Sequence, residues 1–220
     1  MFPPVEIADE DGLLAVGGDL SISTLAAAYH SGVFPWPVEG VPTLWFAPPE
    51  RCVLFLDEFH ISKRLKRDLK NCDFEYLINR DFASVIRSCA APRTYENQTW
   101  ILPDMQRAYC KLHHAGHAHS VEVWRNGELV GGLYGVSWGA YFGGESMFHR
   151  ADNASKAALI FLVEHLKSRG ATWIDVQMPT QLFLSFGARL IPRDDFMALL
   201  KRSLTRDVCL FLVSEHLSEP

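Results

Sequence analysis

The sequence predicts a mixed α+β fold, and three patterns support that prediction. Several segments before residue 117 have the spacing and the capping residues of helices. Residues 119–125 alternate between apolar and polar side chains, and Asn126-Gly127 after them is a strong hairpin signal. An apolar helix and the strand-like residues 173–177 follow. Helices, an antiparallel meander, a helix and a strand in this order are typical of α+β or mixed α/β domains.

Composition limits the class of protein. The 220 residues allow one large domain or two small ones, and 48% hydrophobic with 21% charged residues excludes wholesale disorder. A net charge of -5 argues against a protein that is basic all over, such as a non-specific DNA coat. Five scattered cysteines without a C-x-x-C pair suit a reducing compartment. Because the start is acidic and prolines interrupt residues 20–38, we expect no signal peptide, no membrane span and a cytoplasmic protein.

Residues 1–59 are predicted to form a small N-terminal domain. Ser21 caps a helix over residues 22–30, and Gly32 ends it. Residues 33–50 contain five prolines among eighteen residues, a density that excludes a helix or a central strand and predicts an irregular arm. The aromatic residues of this arm indicate either a binding surface or a hydrophobic contact between two lobes.

The second predicted domain, residues 60–220, begins with a basic helix. Ser62 is its cap, and Asp68 is its one acidic residue. Such a helix either binds an anionic partner or presents a solvated face, and the pattern allows both. Five basic side chains make it the most cationic stretch of the chain: Lys63, Arg64, Lys66, Arg67 and Lys70.

Further helices are predicted over residues 81–90, 100–116 and 153–170. Residues 157–163 are apolar at every position, which is too wide for a one-sided stripe. That helix is therefore covered on most sides, or it covers a sheet and lines an apolar pocket. A last strand is predicted over residues 208–213.

Two polar residues stand out in the strand-like residues 173–177. Asp175 and Gln177 point to one face of the predicted strand. Buried there, they cost free energy unless they bond each other or a substrate. Glu145, in a glycine-flanked strand end, is a third polar candidate. The alternative is that these residues have no catalytic role: Asp175 and Gln177 would then be a buried pair that bond each other, and Glu145 an exposed carboxylate in a loop.

A histidine-rich stretch raises the question of a metal site. The histidines fit no recognised zinc-ligand spacing, and no nucleophile elbow or phosphate-binding glycine loop is present. We therefore expect these histidines to be structural residues of a turn rather than metal ligands. The four histidines are His113, His114, His117 and His119.

A series of segments then identifies a family. The chain resembles leucyl/phenylalanyl-tRNA–protein transferases in GLLAVGGDLS, GVFPW, HISKRLKR, GHAHSVEVW, GESMF, NASKAAL and DVQ, within residues 12–193. The resemblance implies a small N-terminal domain and a C-terminal domain with the acetyltransferase-like (GNAT) fold, and a reaction that uses neither metal nor cofactor. It also implies a bacterial cytoplasmic protein. We expect this protein to be a monomer that binds neither DNA nor membrane. It implies transfer of Leu or Phe, and less well Met, from aminoacyl-tRNA to proteins that begin with Arg or Lys, which creates a degradation signal.

The resemblance also implies roles for single residues. The basic helix contacts the tRNA backbone. Gln177 orients the attacking amine through its side-chain oxygen, and Asp175 bonds Gln177 and fixes that oxygen. The implied catalytic group is Asp175, Gln177 and Glu145. The 3′-terminal adenosine is expected on Tyr29, Trp36, Trp100 and Tyr109. The aminoacyl side chain is expected in a pocket of Leu133, Phe142, Met147, Leu159, Leu162 and Ile174.

The sequence departs from the family pattern near the expected acceptor subsite. Phe46 replaces a second tryptophan, Leu182 replaces a histidine and is followed by Phe183, and residues 93–98 form a stretch two residues longer than usual.

Two other functions remain open on the sequence. A small-molecule N-acetyltransferase on the same fold needs a glycine-rich pyrophosphate loop, and residues 148–156 contain no glycine. A non-catalytic tRNA-binding module explains the basic helix but not three polar residues near an apolar pocket.

Overall fold

A computed structural model describes residues 2–91 and 99–212. The first part forms a small antiparallel sheet beside one helix. Ser21 caps that helix by accepting the Thr24 N–H, as predicted. The sheet has the order β1-β3-β2. The elements are β1 (Leu13–Val16), α1 (Ile22–His30), β2 (Phe34–Trp36) and β3 (Leu44–Phe46).

The second part is built on one seven-stranded sheet. Its order is β10-β4-β9-β8-β7-β6-β5, and all neighbours are antiparallel except β8 and β9, which pair in parallel. The strands are β4 (Glu50–Phe55), β5 (Glu75–Ile78), β6 (Ala118–Arg125), β7 (Glu128–Trp138), β8 (Tyr141–His149), β9 (Trp173–Gln177) and β10 (Arg189–Pro192). The order meander, helix, parallel strand is the acetyltransferase-like arrangement implied by the resemblance, and the mixed α+β class is confirmed.

Six helices flank this sheet in the described part of the chain: α2 (Lys63–Leu69), α3 (Phe82–Ala90), α4 (Pro103–His114), α5 (Ala154–Ser168), α6 (Gln181–Ser185) and α7 (Arg193–Leu204). Successive strand residues point to opposite faces, so the sheet separates two apolar clusters. Tyr134 and Trp173 belong to the α3-side cluster, which also contains α4, whereas Leu133 and Ile174 belong to the α5-side cluster. No helix among the described residues is long and apolar enough to cross a bilayer.

The structure corrects three predictions about elements. The proline-rich arm is not irregular throughout, because Pro35 lies in the edge strand β2 and the central strand β3 contains no proline. The strand predicted over residues 208–213 is wrong for the residues that the structure describes, because residues 208–212 form no strand. Val213 lies outside the described residues. The helix predicted over residues 100–116 is α4, which begins at Pro103 rather than Trp100, because proline favours the first helical position.

The division at residue 59 stays a prediction. Strand β4 lies before that boundary, yet it pairs with β9 and β10 inside the seven-stranded sheet. If the chain has two units, β4 therefore belongs to the second.

Candidate active site

Asp175 lies on β9 with no exposed surface and is fully engaged. The Arg51 guanidinium donates from Nε to Oδ1 at 2.9 Å and from Nη2 to Oδ2 at 2.8 Å. The Tyr141 hydroxyl donates to Oδ2 at 2.9 Å. A two-point guanidinium contact is among the strongest charge-assisted hydrogen bonds, and it fixes the carboxylate plane. Asp175 is thus a rigid, paired anion.

Gln177 is held in place by that anion. Its backbone N–H donates to Asp175 Oδ1 at 2.9 Å, and its φ is +53°, a left-handed conformation that non-glycine residues seldom adopt. Its side-chain Nε2 is buried and has no hydrogen-bond partner among the described residues. An orphaned buried amide costs about 1–3 kcal/mol unless a ligand bonds it.

The interpretation of the Asp175–Gln177 contact needs one correction. The carboxylate bonds the main chain of Gln177 and not its side chain. Asp175 therefore fixes the backbone from which the amide projects, and the Nε2 of that amide makes no hydrogen bond to another described residue.

Arg51 on β4 is a site residue that sequence reasoning missed. It is 2% exposed, and its guanidinium lies between the rings of Phe34 and Phe196, 4.5 Å and 4.6 Å from their centroids. Nη1 donates to the Gly32 carbonyl at 3.2 Å. Arg51 therefore ties the small sheet to the Asp175 strand. The sequence signal that could have identified Arg51 is its position as a charged residue at the start of the apolar residues 52–56.

Glu145 on β8 is surrounded by tyrosines. The Tyr29 hydroxyl donates to Oε1 at 2.6 Å, and the Tyr109 hydroxyl donates to Oε2 at 3.3 Å. The two hydroxyl oxygens are also within hydrogen-bond distance of each other, and because each hydroxyl has one proton, the pair makes only two of these three hydrogen bonds at once while Glu145 is ionised. Desolvation raises the pKa of Glu145 to about 7, against the lowering effect of the Tyr29 hydrogen bond. A nearby buried hydroxyl, that of Tyr134, has no partner among the described residues.

The raised pKa of Glu145 predicts how stability depends on pH. Between pH 4.5 and about 7 the folded chain holds a proton that the unfolded chain has lost, so the free energy of unfolding falls as pH rises. At about 1.4 kcal/mol per pH unit, the rise of the pKa from 4.5 to about 7 makes the full loss of the free energy of unfolding about 3.5 kcal/mol. Glu145→Gln is expected to remove this loss, measured by urea unfolding at pH 5 and pH 8. The exposed Glu164→Gln is the control, and equal pH dependence in Glu145→Gln and wild type would contradict the prediction.

The structure divides the four aromatic residues expected to bind adenosine. Trp36 and Trp100 stack on each other with centroids 5.4 Å apart and an interplanar angle of 12°, and Trp36 is 38% exposed. Tyr29 and Tyr109 are buried and bond Glu145. Of these four residues, the tryptophan pair is the accessible part, whereas the two tyrosines are buried against Glu145 and offer no free ring face to a base.

The structure brings the expected aminoacyl pocket residues together. All six lie in or against the α5-side cluster, and Met147 is the least buried of them. Leu133 and Met147 are cross-strand neighbours, and Gly143 pairs with Asp175 on the adjoining strand. The six residues are Leu133, Phe142, Met147, Leu159, Leu162 and Ile174.

The basic helix is α2, and its cationic side chains are exposed. Arg64 and Arg67 approach Asp68 at 3.7 Å and 3.5 Å. Lys63, Lys66 and Lys70 form no ion pair with another residue that the structure describes. These exposed lysines are the cations most available to a partner.

The histidines make structural contacts. His113 stacks on Phe82 at 4.4 Å, and its Nδ1 hydrogen-bonds the Ala118 carbonyl. His117 stacks on Trp138 at 5.2 Å. Within residues 2–91 and 99–212, no three potential ligands form a metal-binding group.

The departures from the family pattern are also located. Phe46 stacks on Phe34, 6.3 Å between centroids. Leu182 and Phe183 lie on α6 and pack against the α5-side cluster. Residues 93–98 lie outside the described residues.

Comparison with known proteins identifies this chain's family. Residues 18–49 match the model of the leucyl/phenylalanyl-tRNA protein transferase N-terminal domain, and residues 53–201 match the model of the transferase itself. The chain belongs to the leucyl/phenylalanyl-tRNA–protein transferase family. It is therefore an aminoacyltransferase, as predicted, rather than a small-molecule N-acetyltransferase or a non-catalytic tRNA-binding module.

Relatives of the same family cover nearly the whole chain. A leucyl/phenylalanyl-tRNA–protein transferase from Pseudomonas syringae pv. syringae (strain B728a) is 56% identical over 92% of this chain and 90% of its own length. One from Chromobacterium violaceum is 50% identical over 93% and 88%. Among solved structures, a ribosomal-protein-alanine N-acetyltransferase from Brucella melitensis biovar Abortus 2308 is similar over 50% of this chain and 80% of that one, with 20% identity and a TM-score of 0.36.

Proposed function

We propose that this family member transfers Leu or Phe, and less well Met, from tRNA to proteins whose first residue is Arg or Lys. The observation that supports the proposal is the unbonded amide of Gln177, whose backbone Asp175 holds, on the strand that pairs with β8, the strand of Glu145. A new N-terminal Leu or Phe on the acceptor would be its degradation signal. Because aminoacyl-tRNA is a cytoplasmic substrate, we propose that the enzyme is cytoplasmic. We also propose that it works as a monomer.

The proposed reaction needs alignment more than a strong base. The acceptor α-amine, with an ordinary pKa near 8, is partly neutral at cellular pH. It attacks the ester carbonyl, the new C–N bond replaces the bond to the tRNA ribose oxygen, and the amine proton reaches that oxygen directly or through water. Holding the two reactants in contact contributes several kcal/mol. No covalent enzyme intermediate, metal or cofactor takes part in this scheme.

Asp175 and Gln177 have separate parts in this scheme. Both carboxylate oxygens of Asp175 already accept hydrogen bonds, so its part is to position Gln177. The Gln177 side-chain oxygen accepts from the attacking amine and directs its lone pair at the ester. The buried Nε2 then finds its partner in the bound substrate.

Glu145 suits the cationic acceptor. Its pKa of about 7 means that it is partly ionised at neutral pH, and a bound cation would favour the ionised form. An acceptor that begins with Arg or Lys supplies that cation. A neutral or acidic first residue would leave the charge of Glu145 uncompensated.

The apolar cluster suits the aminoacyl side chain. A pocket without polar groups accepts Leu, Phe and Met alike, because added or missing methylenes discriminate by only about 1–3 kcal/mol. A polar aminoacyl group would lose its hydration there without new hydrogen bonds.

The proposal is tested with purified protein, radiolabelled Leu-tRNA or Phe-tRNA, and peptides that differ only in the first residue. Label is expected in peptides that begin with Arg or Lys, and not in one that begins with Glu. Labelled Asp-tRNA is the control for the apolar pocket. Equal labelling of all peptides, or none of any, would contradict the proposal.

The basic helix α2 is proposed to contact tRNA phosphates, and this predicts a change in salt dependence. Lys66→Gln with Lys70→Gln is expected to lower the slope of log affinity against log salt concentration by about 2, since each lost phosphate contact removes nearly one unit. The measurement is tRNA binding from about 50 to 200 mM salt. Lys201→Gln on α7 is the control. An unchanged slope in the double variant would show that α2 presents a solvated face and does not contact tRNA phosphates.

A further inference from the structure

Residues 207–212 follow α7 and lie beyond residue 201, where the family match ends. They form no helix or strand, yet Leu210 and Phe211 are 2% and 5% exposed and belong to the α5-side cluster. Buried backbone outside regular structure needs other hydrogen-bond partners. The contacts of this segment show where those partners come from.

Two histidines fix the segment in place. His165 Nε2 hydrogen-bonds the Leu210 carbonyl at 2.7 Å. The Phe211 ring stacks on His119 at 4.0 Å, with an interplanar angle of 11°, and on His165 at 5.0 Å. The segment is therefore held by side chains of β6 and α5, which explains its burial without a strand ladder.

Phe211 also contacts the expected aminoacyl pocket. Its ring is 5.8 Å from the ring of Phe142, with an interplanar angle of 43°. Phe142 directly precedes Gly143, the residue of β8 that pairs with Asp175. Phe211 thus supports the pocket residue that lies next to the reaction site along β8.

We propose that Phe211 is a specificity-determining residue, which positions Phe142 and limits the size of the aminoacyl side chain that the pocket accepts. This inference rests on the proposed function. Cores are close-packed, so removing the Phe211 ring gives Phe142 room to move away from the pocket. Larger apolar side chains then fit, whereas small ones lose contact.

The test measures relative kcat/KM for Leu-tRNA, Phe-tRNA and Trp-tRNA with a peptide that begins with Arg. In Phe211→Ala, the ratio of Trp to Leu transfer is expected to rise about 10-fold, within the range that pocket contacts discriminate. Leu212→Ala, at the adjacent position with 42% exposure, is the matched control and is expected to keep the wild-type ratio. Phe211→Leu is expected to show a smaller shift in the same direction and replaces Phe211→Ala if that variant does not fold.

Unchanged ratios in folded Phe211 variants, or an equal loss for all three substrates, would overturn the inference and leave the proposed function standing. Absence of transfer by the wild-type protein would instead be a failure of the proposed function itself.

Discussion

Gln177→Gly is expected to lower the single-turnover rate of aminoacyl transfer by about 100-fold, the scale of the loss when a reactant is no longer held in the correct orientation. Glycine adopts the φ of +53° without strain, so the variant loses the side chain and keeps the backbone that Asp175 holds. The free energy of unfolding is expected not to fall, because the orphaned amide is also removed. Rates are measured with Phe-tRNA and a peptide that begins with Arg.

Asn126→Gly is the matched control for this variant. Asn126 has the same φ of +53°, in the exposed hairpin between β6 and β7, so it separates backbone effects from the loss of the Gln177 amide. Raising the pH from about 7 to 9 is expected to restore part of the Gln177→Gly rate by deprotonating the acceptor amine. A wild-type rate in Gln177→Gly would exclude the amide from the reaction.

Asp175→Ala is expected to lower the free energy of unfolding by about 3–5 kcal/mol, because it leaves the Arg51 charge buried and unpaired. Arg51→Met is expected to cost a similar amount by orphaning Asp175. Since each variant breaks the same pair, the double variant is expected to lose clearly less than the sum of the two. Urea unfolding of the four proteins measures this coupling.

The control for the buried pair is an exposed one. Arg189 and Glu58 form an ion pair in which both side chains are nearly half exposed, and such pairs contribute about 0–1 kcal/mol. A double-mutant cycle on Arg189 and Glu58 is expected to give a coupling free energy close to zero. Additive losses for Arg51 and Asp175 would mean that the two do not stabilise each other.

Much of the fold could be predicted from local patterns. Ser21 and Ser62 cap the helices they were expected to cap, and Asn126-Gly127 makes the β6–β7 hairpin. The pairing of β4 with β9 and β10 could not be predicted, because strand partners far apart in the chain leave no local signal. The last predicted strand failed for a related reason, since the burial of residues 210–211 comes from side-chain contacts and not from a ladder.

The residue types of the site could be predicted from the sequence, whereas most of the hydrogen bonds between these residues could not. Asp175 and Gln177 lie on one strand, as the alternation indicated. The positive φ of Gln177 could not be inferred from the alternation of a strand, and the Arg51 side chain that holds the Asp175 carboxylate lies 124 residues away in the chain. Likewise, Tyr29 and Tyr109 were identified as site residues, but their hydrogen bonds to Glu145 depend on how α1 and α4 pack.

The measurement that most directly tests whether Asp175 acts through Gln177 is the single-turnover transfer rate of Asp175→Asn, Gln177→Gly and the double variant, each per folded protein. If the two residues form one unit, the double variant is expected to be within about 3-fold of the slower single variant, because effects within a unit are not additive. Losses that multiply, to about 10⁴-fold in the double variant for two losses of about 100-fold, would show that Asp175 and Gln177 act independently.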